Sequence, residues 1–202
     1  MTEEPEPITS AEPYGILAIA SSAGGITALG RVLGELPVDF PVPILVVQHL
    51  DPRHETIIAE VIGRRTRLSV KLAAEAEQAE SGKIYIAPPN RHLLVGSGGF
   101  MSLTSSELVH FVRPSADLLF ESVAATYGPR ALVCVLTGTG SDGTMGASAI
   151  KSRGGTVIVE DPERAEFKGM PESVVASGSV DFVLPLEEIA DVICGLVEAK
   201  RS

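Results

Sequence analysis

The chain has 202 residues, 45% of them hydrophobic and 21% charged, with 26 Asp and Glu against 16 Lys and Arg and a formal net charge of −10 at pH 7. That length and apolar content suffice for one substantial core, no apolar stretch approaches the roughly 20 residues of a membrane span, and the acidic surplus opposes binding to nucleic acid phosphates. The acidic, proline-bearing start lacks the basic and apolar regions of a signal peptide, so a cytoplasmic location is expected.

Residues 1–13, with Glu3, Glu4, Glu6, Glu12 and three prolines, read as a disordered tail, which leaves 14–202 as a single domain. An apolar strand over 16–20 then runs into Ser21-Ser22-Ala23-Gly24-Gly25 and a helix over 25–35. A serine there is ordinarily an N-cap. It is also where backbone N–H groups and the helix dipole can stabilise a developing oxyanion. A second strand, 44–48, ends in Gln48-His49, and a helix is predicted over 53–66. His54 at its polar start reads as an ordinary surface residue. The cluster Arg64, Arg65, Arg67 and Lys71 reads as a solvated helix end, with an acidic protein surface as its alternative partner.

Strands over 69–73 and 83–87 follow, then Asn90-Arg91-His92 and, between Arg91 and Thr104, a hairpin with a glycine-rich turn. His110, beside Phe111, is another unremarkable histidine. Arg113-Pro114-Ser115 precedes a helix over 115–127, with Ser115 as its N-cap; Arg113 is either a cation for a polar substrate or half of a salt bridge. A strand over 132–136 leads into Thr137-Gly-Thr-Gly-Ser-Asp142-Gly143 and a helix over 143–153. After a strand over 155–159 come helices over 170–177 and 186–199, separated by a strand over 181–184. The last helix carries Leu186, Ile189, Ala190, Ile193, Leu196 and Val197 as one apolar stripe. Cys134 and Cys194 read as buried structural thiols. The alternation predicts an α/β fold: a doubly wound, mainly parallel sheet with helices on both faces and a small antiparallel hairpin.

In such a sheet the carboxyl ends of the strands share one edge, where binding sites form. Ser22, His49 and Asp142 each lie just past an apolar strand. Together they make a hydrolytic triad, with Ser22 attacking an acyl carbon, His49 moving the proton and Asp142 orienting the imidazole. A rival reading comes from Gly138, Gly140 and Gly143, a literal G-x-G-x-x-G between strand and helix, with Glu160 at the end of the next strand; this is the pattern of a dinucleotide-binding oxidoreductase. Asp142 inside the turn would repel a pyrophosphate, which counts against that rival. No histidine and cysteine spacing supports a metal site.

Ser22-Ala-Gly-Gly25, Val47-Gln48-His49, Tyr85-Ile-Ala-Pro-Pro-Asn-Arg-His92, Arg113-Pro-Ser115, Leu136-Thr-Gly-Thr-Gly-Ser-Asp-Gly143 and Gly169-Met-Pro171 occur in order in this sequence. With these segments the chain resembles the catalytic domain of CheB-type protein-glutamate methylesterases, from about Gly15 to about Ile189. The resemblance implies hydrolysis of glutamyl methyl esters on bacterial chemoreceptors, with deamidation of receptor glutamines as a second reaction and no cofactor. It places the nucleophile on Ser22 rather than Ser21, the histidine on His49 and the aspartate on Asp142. Ala23 and Thr139 become backbone oxyanion donors, and His92, Arg113 and Met170 become candidates for the pocket wall. Many members carry a hydroxyl residue at the position of Ala23 and a methionine at that of Thr139. Members also place a receiver domain before the esterase, which residues 1–13 are too few to form. The chain is then either a stand-alone esterase controlled by other proteins, with a separate receiver or methyltransferase as a partner beside the methylated receptor, or one domain of a longer polypeptide, and membrane contact is expected only through that receptor. A catalytically weak receptor-binding module is the non-enzymatic alternative.

Overall fold

The computed structural model describes residues 12–50 and 56–200. Its frame is a seven-stranded parallel sheet in the order β3-β4-β2-β1-β7-β8-β9, made of β1 (Ile16–Ser21), β2 (Ile44–Gln48), β3 (Ser69–Leu72), β4 (Lys83–Ile86), β7 (Ala131–Val135), β8 (Thr156–Glu160) and β9 (Phe182–Leu184). The predicted hairpin is present as a separate antiparallel pair, β5 (His92–Val95) with β6 (Met101–Thr104). Six helices alternate with the strands: α1 (Gly25–Glu35), α2 (Ile58–Gly63), α3 (Ala116–Tyr127), α4 (Thr144–Ser152), α5 (Gly169–Ala176) and α6 (Leu186–Ala199).

The central strands are apolar without alternation because both of their faces are covered. Along β1, Leu17 and Ile19 point into a core built with α1, α2 and α6, while Ile16, Ala18 and Ala20 point into a second core with α3, α4, α5 and the hairpin. Leu29 and Leu33 of α1 and Ile189 and Ile193 of α6 are fully buried in the first core. Each such side chain contributes about 1.5–3 kcal/mol by leaving water. The edge strand β3 has the half-exposed alternation of a sheet margin.

Most predicted bounds agree with the structure within a residue or two, and α2 is the exception. It begins at Ile58, whose N–H donates to the Thr56 hydroxyl at 3.1 Å. It stops at Gly63, so Arg64 and Arg65 lie beyond it, and residues 53–55 of the predicted span, His54 included, lie outside the described residues. Arg64 is strongly exposed, Lys71 pairs with Glu77 at 2.7 Å, and the Arg65 side chain lies over Gly30. Among the described residues, no helix is long and apolar enough to cross a membrane. Cys134 is fully buried in β7 and Cys194 partly buried on α6, both as free thiols.

Candidate active site

The strand order reverses direction at β1, with β2 on one side and β7 on the other. Such a switch point opens a crevice at the carboxyl ends of the strands. The register carries three loops to it. Ser21 pairs with Gln48 and Ala20 with Val135. One step further, the His49 N–H donates to the Ser21 carbonyl at 3.1 Å and the Ser22 N–H donates to the Thr137 carbonyl at 3.0 Å. Ser22 therefore sits between His49 and the turn that carries Asp142.

The two serines are told apart by their surroundings. Ser21 is fully buried and its hydroxyl donates to Gln48 Oε1 at 2.7 Å. The Gln48 amide in turn donates to the carbonyls of Ser22 and His49 at 2.8 and 2.9 Å, tying the two loops together. Ser22 is only partly buried. Gly24 turns the chain with a φ of 74°, a left-handed conformation that favours glycine. Gly25 then passes so close to Gln48 Oε1 and the Ser21 side chain that no Cβ fits. Among the described residues, the N–H groups of Ala23 and Thr139 have no hydrogen-bond acceptor, so both are available to an oxyanion.

His49 Nε2 lies 2.8 Å from Asp142 Oδ2. With Nε2 engaged by Asp142, Nδ1 is the ring nitrogen left for another partner. Asp142 is 3% exposed and surrounded by donors. Its Oδ1 accepts from the Ser115 hydroxyl at 2.8 Å and the Asp117 N–H at 3.0 Å, and its Oδ2 also accepts the Ala116 N–H at 2.6 Å. These groups are the N-cap and first turn of α3, where the helix dipole favours an anion. Burial is the largest single influence and raises the carboxyl's pKa. The hydrogen bonds from His49, Ala116 and Asp117 together outweigh it and hold the group below its ordinary value. A carboxylate that stays ionised can orient an imidazole and stabilise its cation.

The three pocket-wall candidates each have defined partners. His92 is fully buried: its Nε2 donates to the Glu107 carbonyl at 3.0 Å and its Nδ1 accepts the Ser115 N–H at 3.1 Å. Both nitrogens are spent on anchoring the hairpin to the α3 cap, so His92 is tied to Asp142 through Ser115. Among the described residues Arg113 has no carboxylate partner; it donates to Asn90 Oδ1 at 2.9 and 2.6 Å and to the carbonyls of Ser105 and Ser106 at 3.0 and 2.7 Å. Met170 is fully buried and packs its sulfur against Gly138, while its N–H donates to the Gly138 carbonyl at 2.9 Å. It supports the turn from beneath.

The glycine pattern of the dinucleotide reading has the same explanation. Gly138 is pressed between Met170 and Ser22 Cβ, and Gly143 adopts a φ of 98° where the chain enters α4. Glu160 is not free to hold a ribose, because it is buried and accepts the Thr137 N–H at 2.7 Å. Burial pushes its carboxyl up, partly offset by the Thr137 N–H and by Arg31. Glu160, Gln48 and Asp117 all shape the site, yet only Glu160 drew notice in the sequence, and for another role. Their signal is an acid or amide beside a strand or helix end, which is too common to single them out.

The chain is similar to known proteins in sequence and in fold. The family model described as CheB methylesterase matches residues 17–193. A relative from Leptospira interrogans serogroup Icterohaemorrhagiae serovar copenhageni is 40% identical over 183 residues, 91% of this chain and 95% of its own length. The protein-glutamate methylesterase/protein-glutamine glutaminase of Thermotoga maritima is 40% identical over 185 residues, which cover 90% of this chain and 54% of that protein. The chain thus spans about half the length of that relative. The crystal structure of the Thermotoga maritima CheB methylesterase catalytic domain superposes with a TM-score of 0.86 at 38% identity, over 92% of this chain and 98% of that one. The chain belongs to the CheB methylesterase family.

Proposed function

We propose that this chain is a cytoplasmic serine hydrolase that removes methyl groups from glutamate γ-methyl esters of chemoreceptors, with Ser22 as nucleophile, His49 as general base and acid, and Asp142 as the orienting carboxylate. The observation that carries this reading is the 2.8 Å contact between His49 and Asp142 beside a partly buried Ser22, at the ends of three adjoining strands. Ser22 Oγ attacks the ester carbonyl as His49 takes its proton. The resulting oxyanion is met by the Ala23 and Thr139 N–H groups and the N-terminus of α1. The tetrahedral adduct collapses with loss of methanol, protonated by His49, and leaves an acyl-enzyme. A water deprotonated by the same imidazole then releases the glutamate carboxylate.

No cofactor enters these steps. A separate receiver or methyltransferase is a candidate regulator, and the membrane is reached only through the receptor. Relatives are also named protein-glutamine glutaminases, and the same constellation can release ammonia from a receptor glutamine. Amides are poorer acyl donors, so the ester reaction dominates.

The test is methanol release from methylated receptor membranes by the unmodified chain, Ser22→Ala and Ser21→Ala at matched folding. Loss of several orders of magnitude is expected only in Ser22→Ala, because the Ser21 hydroxyl is committed to Gln48. A fully active Ser22→Ala would overturn the assignment. Receptor capture without methanol release, under every condition that activates relatives, would favour the binding-module reading.

A further inference from the structure

Asp142 has a counterpart that the reaction does not use. Asp142 enters from the loop before α4 and is bound at the N-terminus of α3. Asp117, in the first turn of α3, is bound at the N-terminus of α4. Its Oδ1 accepts the Gly143 N–H at 3.0 Å and the Gly146 N–H at 2.8 Å. Each helix therefore donates its opening N–H groups to a carboxylate carried by, or leading into, the other. The approach is tight: a Cβ at Gly146 would come within 2.5 Å of Phe120 Cβ and 3.1 Å of the Asp117 Cα.

Asp117 is 2% exposed. Its Oδ2 is buried and lacks a hydrogen bond, although His110 Nε2 stands 3.2 Å away. Burial is the largest influence on its carboxyl and raises its pKa, the nearby Asp142 charge raises it further, and the Gly146 and Gly143 N–H groups and His110 pull it back. A second anion so close to Asp142 works against the fold, so chain packing alone gives no reason to keep it there. Its hydrogen bonds do give one, because they fix the residue next to Asp142 in the chain.

We propose that Asp117 is a positioning residue for the hydrolytic reaction: by capping α4 while Asp142 caps α3, it locks the helix pair and thereby the place of Asp142 against His49. This rests on the hydrolase reading above. A displacement of about 1 Å at a reacting group can cost on the order of 100-fold in rate, so the lock acts on kcat.

The experiment is a double-mutant cycle with the full chain on methylated receptor membranes. Asp117→Ala is expected to lower kcat roughly 10- to 100-fold with KM within about twofold. Asp117→Asn keeps an oxygen that can accept from Gly143 and Gly146 and is expected to recover kcat to within about threefold. In an Asp142→Asn background, Asp117→Ala is expected to cost less than about twofold more, since residues acting through one another are not additive. An equal loss in both backgrounds, or full activity in folded Asp117→Ala, overturns the proposal. Should Asp117→Ala not fold, Asp117→Ser takes its place in the cycle.

A second measurement does not depend on turnover. The proton shared by His49 and Asp142 gives a downfield resonance that should persist in Asp117→Asn and shift or broaden in Asp117→Ala. Were the unmodified chain inactive, the hydrolase reading would fall while this spectrum still decided the role of Asp117. An unchanged resonance in Asp117→Ala overturns it.

Discussion

The turn after β7 is fastened on each flank by a buried carboxylate, Asp142 toward α3 and Glu160 toward β8, and the two are equally hidden at 3% exposure. They differ in company. Asp142 receives four hydrogen bonds, from His49, the Ser115 hydroxyl and two backbone N–H groups at a helix start. Glu160 receives one backbone N–H, from Thr137. The first is held below its ordinary pKa and the second is pushed above it. Burial raises both carboxyls; the number and polarity of donors decide which group remains a dependable anion.

Breaking the donor-rich side should have the largest effect. Asp142→Asn is expected to reduce kcat by roughly 10⁴-fold, because an amide cannot hold the imidazole in the required tautomer. Methanol release measures it, thermal melting controls for folding, and near-normal turnover would remove Asp142 from the mechanism. Ser115→Ala thins the same cluster by one donor and also removes the cap on the Leu118 N–H. It should cost about 1 kcal/mol of stability and roughly 2- to 10-fold in kcat. An activity loss without any change in melting would contradict its capping role.

The smallest effect sharpens the contrast through pH. Asp142, lowered in the fold, contributes stability that is present above the ordinary carboxylate range and is lost as pH falls through its folded pKa. Glu160, raised in the fold, contributes in the opposite sense: its share is present below the ordinary range and is lost as pH rises through its raised pKa. Glu160→Gln keeps an acceptor for the Thr137 N–H and removes the charge. The variant should therefore lose less stability than the unmodified chain between the ordinary glutamate pKa and neutrality. Melting temperature against pH reads this, and parallel curves would show that Glu160 ionises without cost.

The strands, their parallel order and the gathering of Ser22, His49 and Asp142 at one edge were legible because apolar runs ending in polar residues need only local pattern and one rule of sheet topology. The cap at Ser115 was legible for the same reason. For His92, Arg113 and Met170 the side-chain partners were not legible. All three lie near the site in sequence motifs, but their side chains are turned toward hairpin carbonyls or into the core, and that depends on how the hairpin and α5 pack. Asp117 was invisible because its meaning is a crossing of two helices. An acid in the first turn of a helix is ordinarily a surface residue favoured by the dipole, and only the approach of Gly143 and Gly146 converts it into a bridge. The resemblance preferred Ser22 to Ser21, whereas the commitment of the Ser21 hydroxyl to Gln48 needed the β1–β2 register.

The placement of β1 between β2 and β7 bears on how the molecule is made. His49 and Asp142 meet across 93 residues of sequence, and contacts of such separation form late because loop closure must precede them. β1 and β2 can pair while the chain is still short, but the crevice stays without its aspartate until β7 docks on the other edge of β1 and α3 and α4 pack together. Regain of hydrolysis during refolding should thus trail regain of helical signal. Turnover becomes a clock for the last long-range step, and a nascent chain lacking β7 and the turn after it would carry the proposed nucleophile without the means to use it.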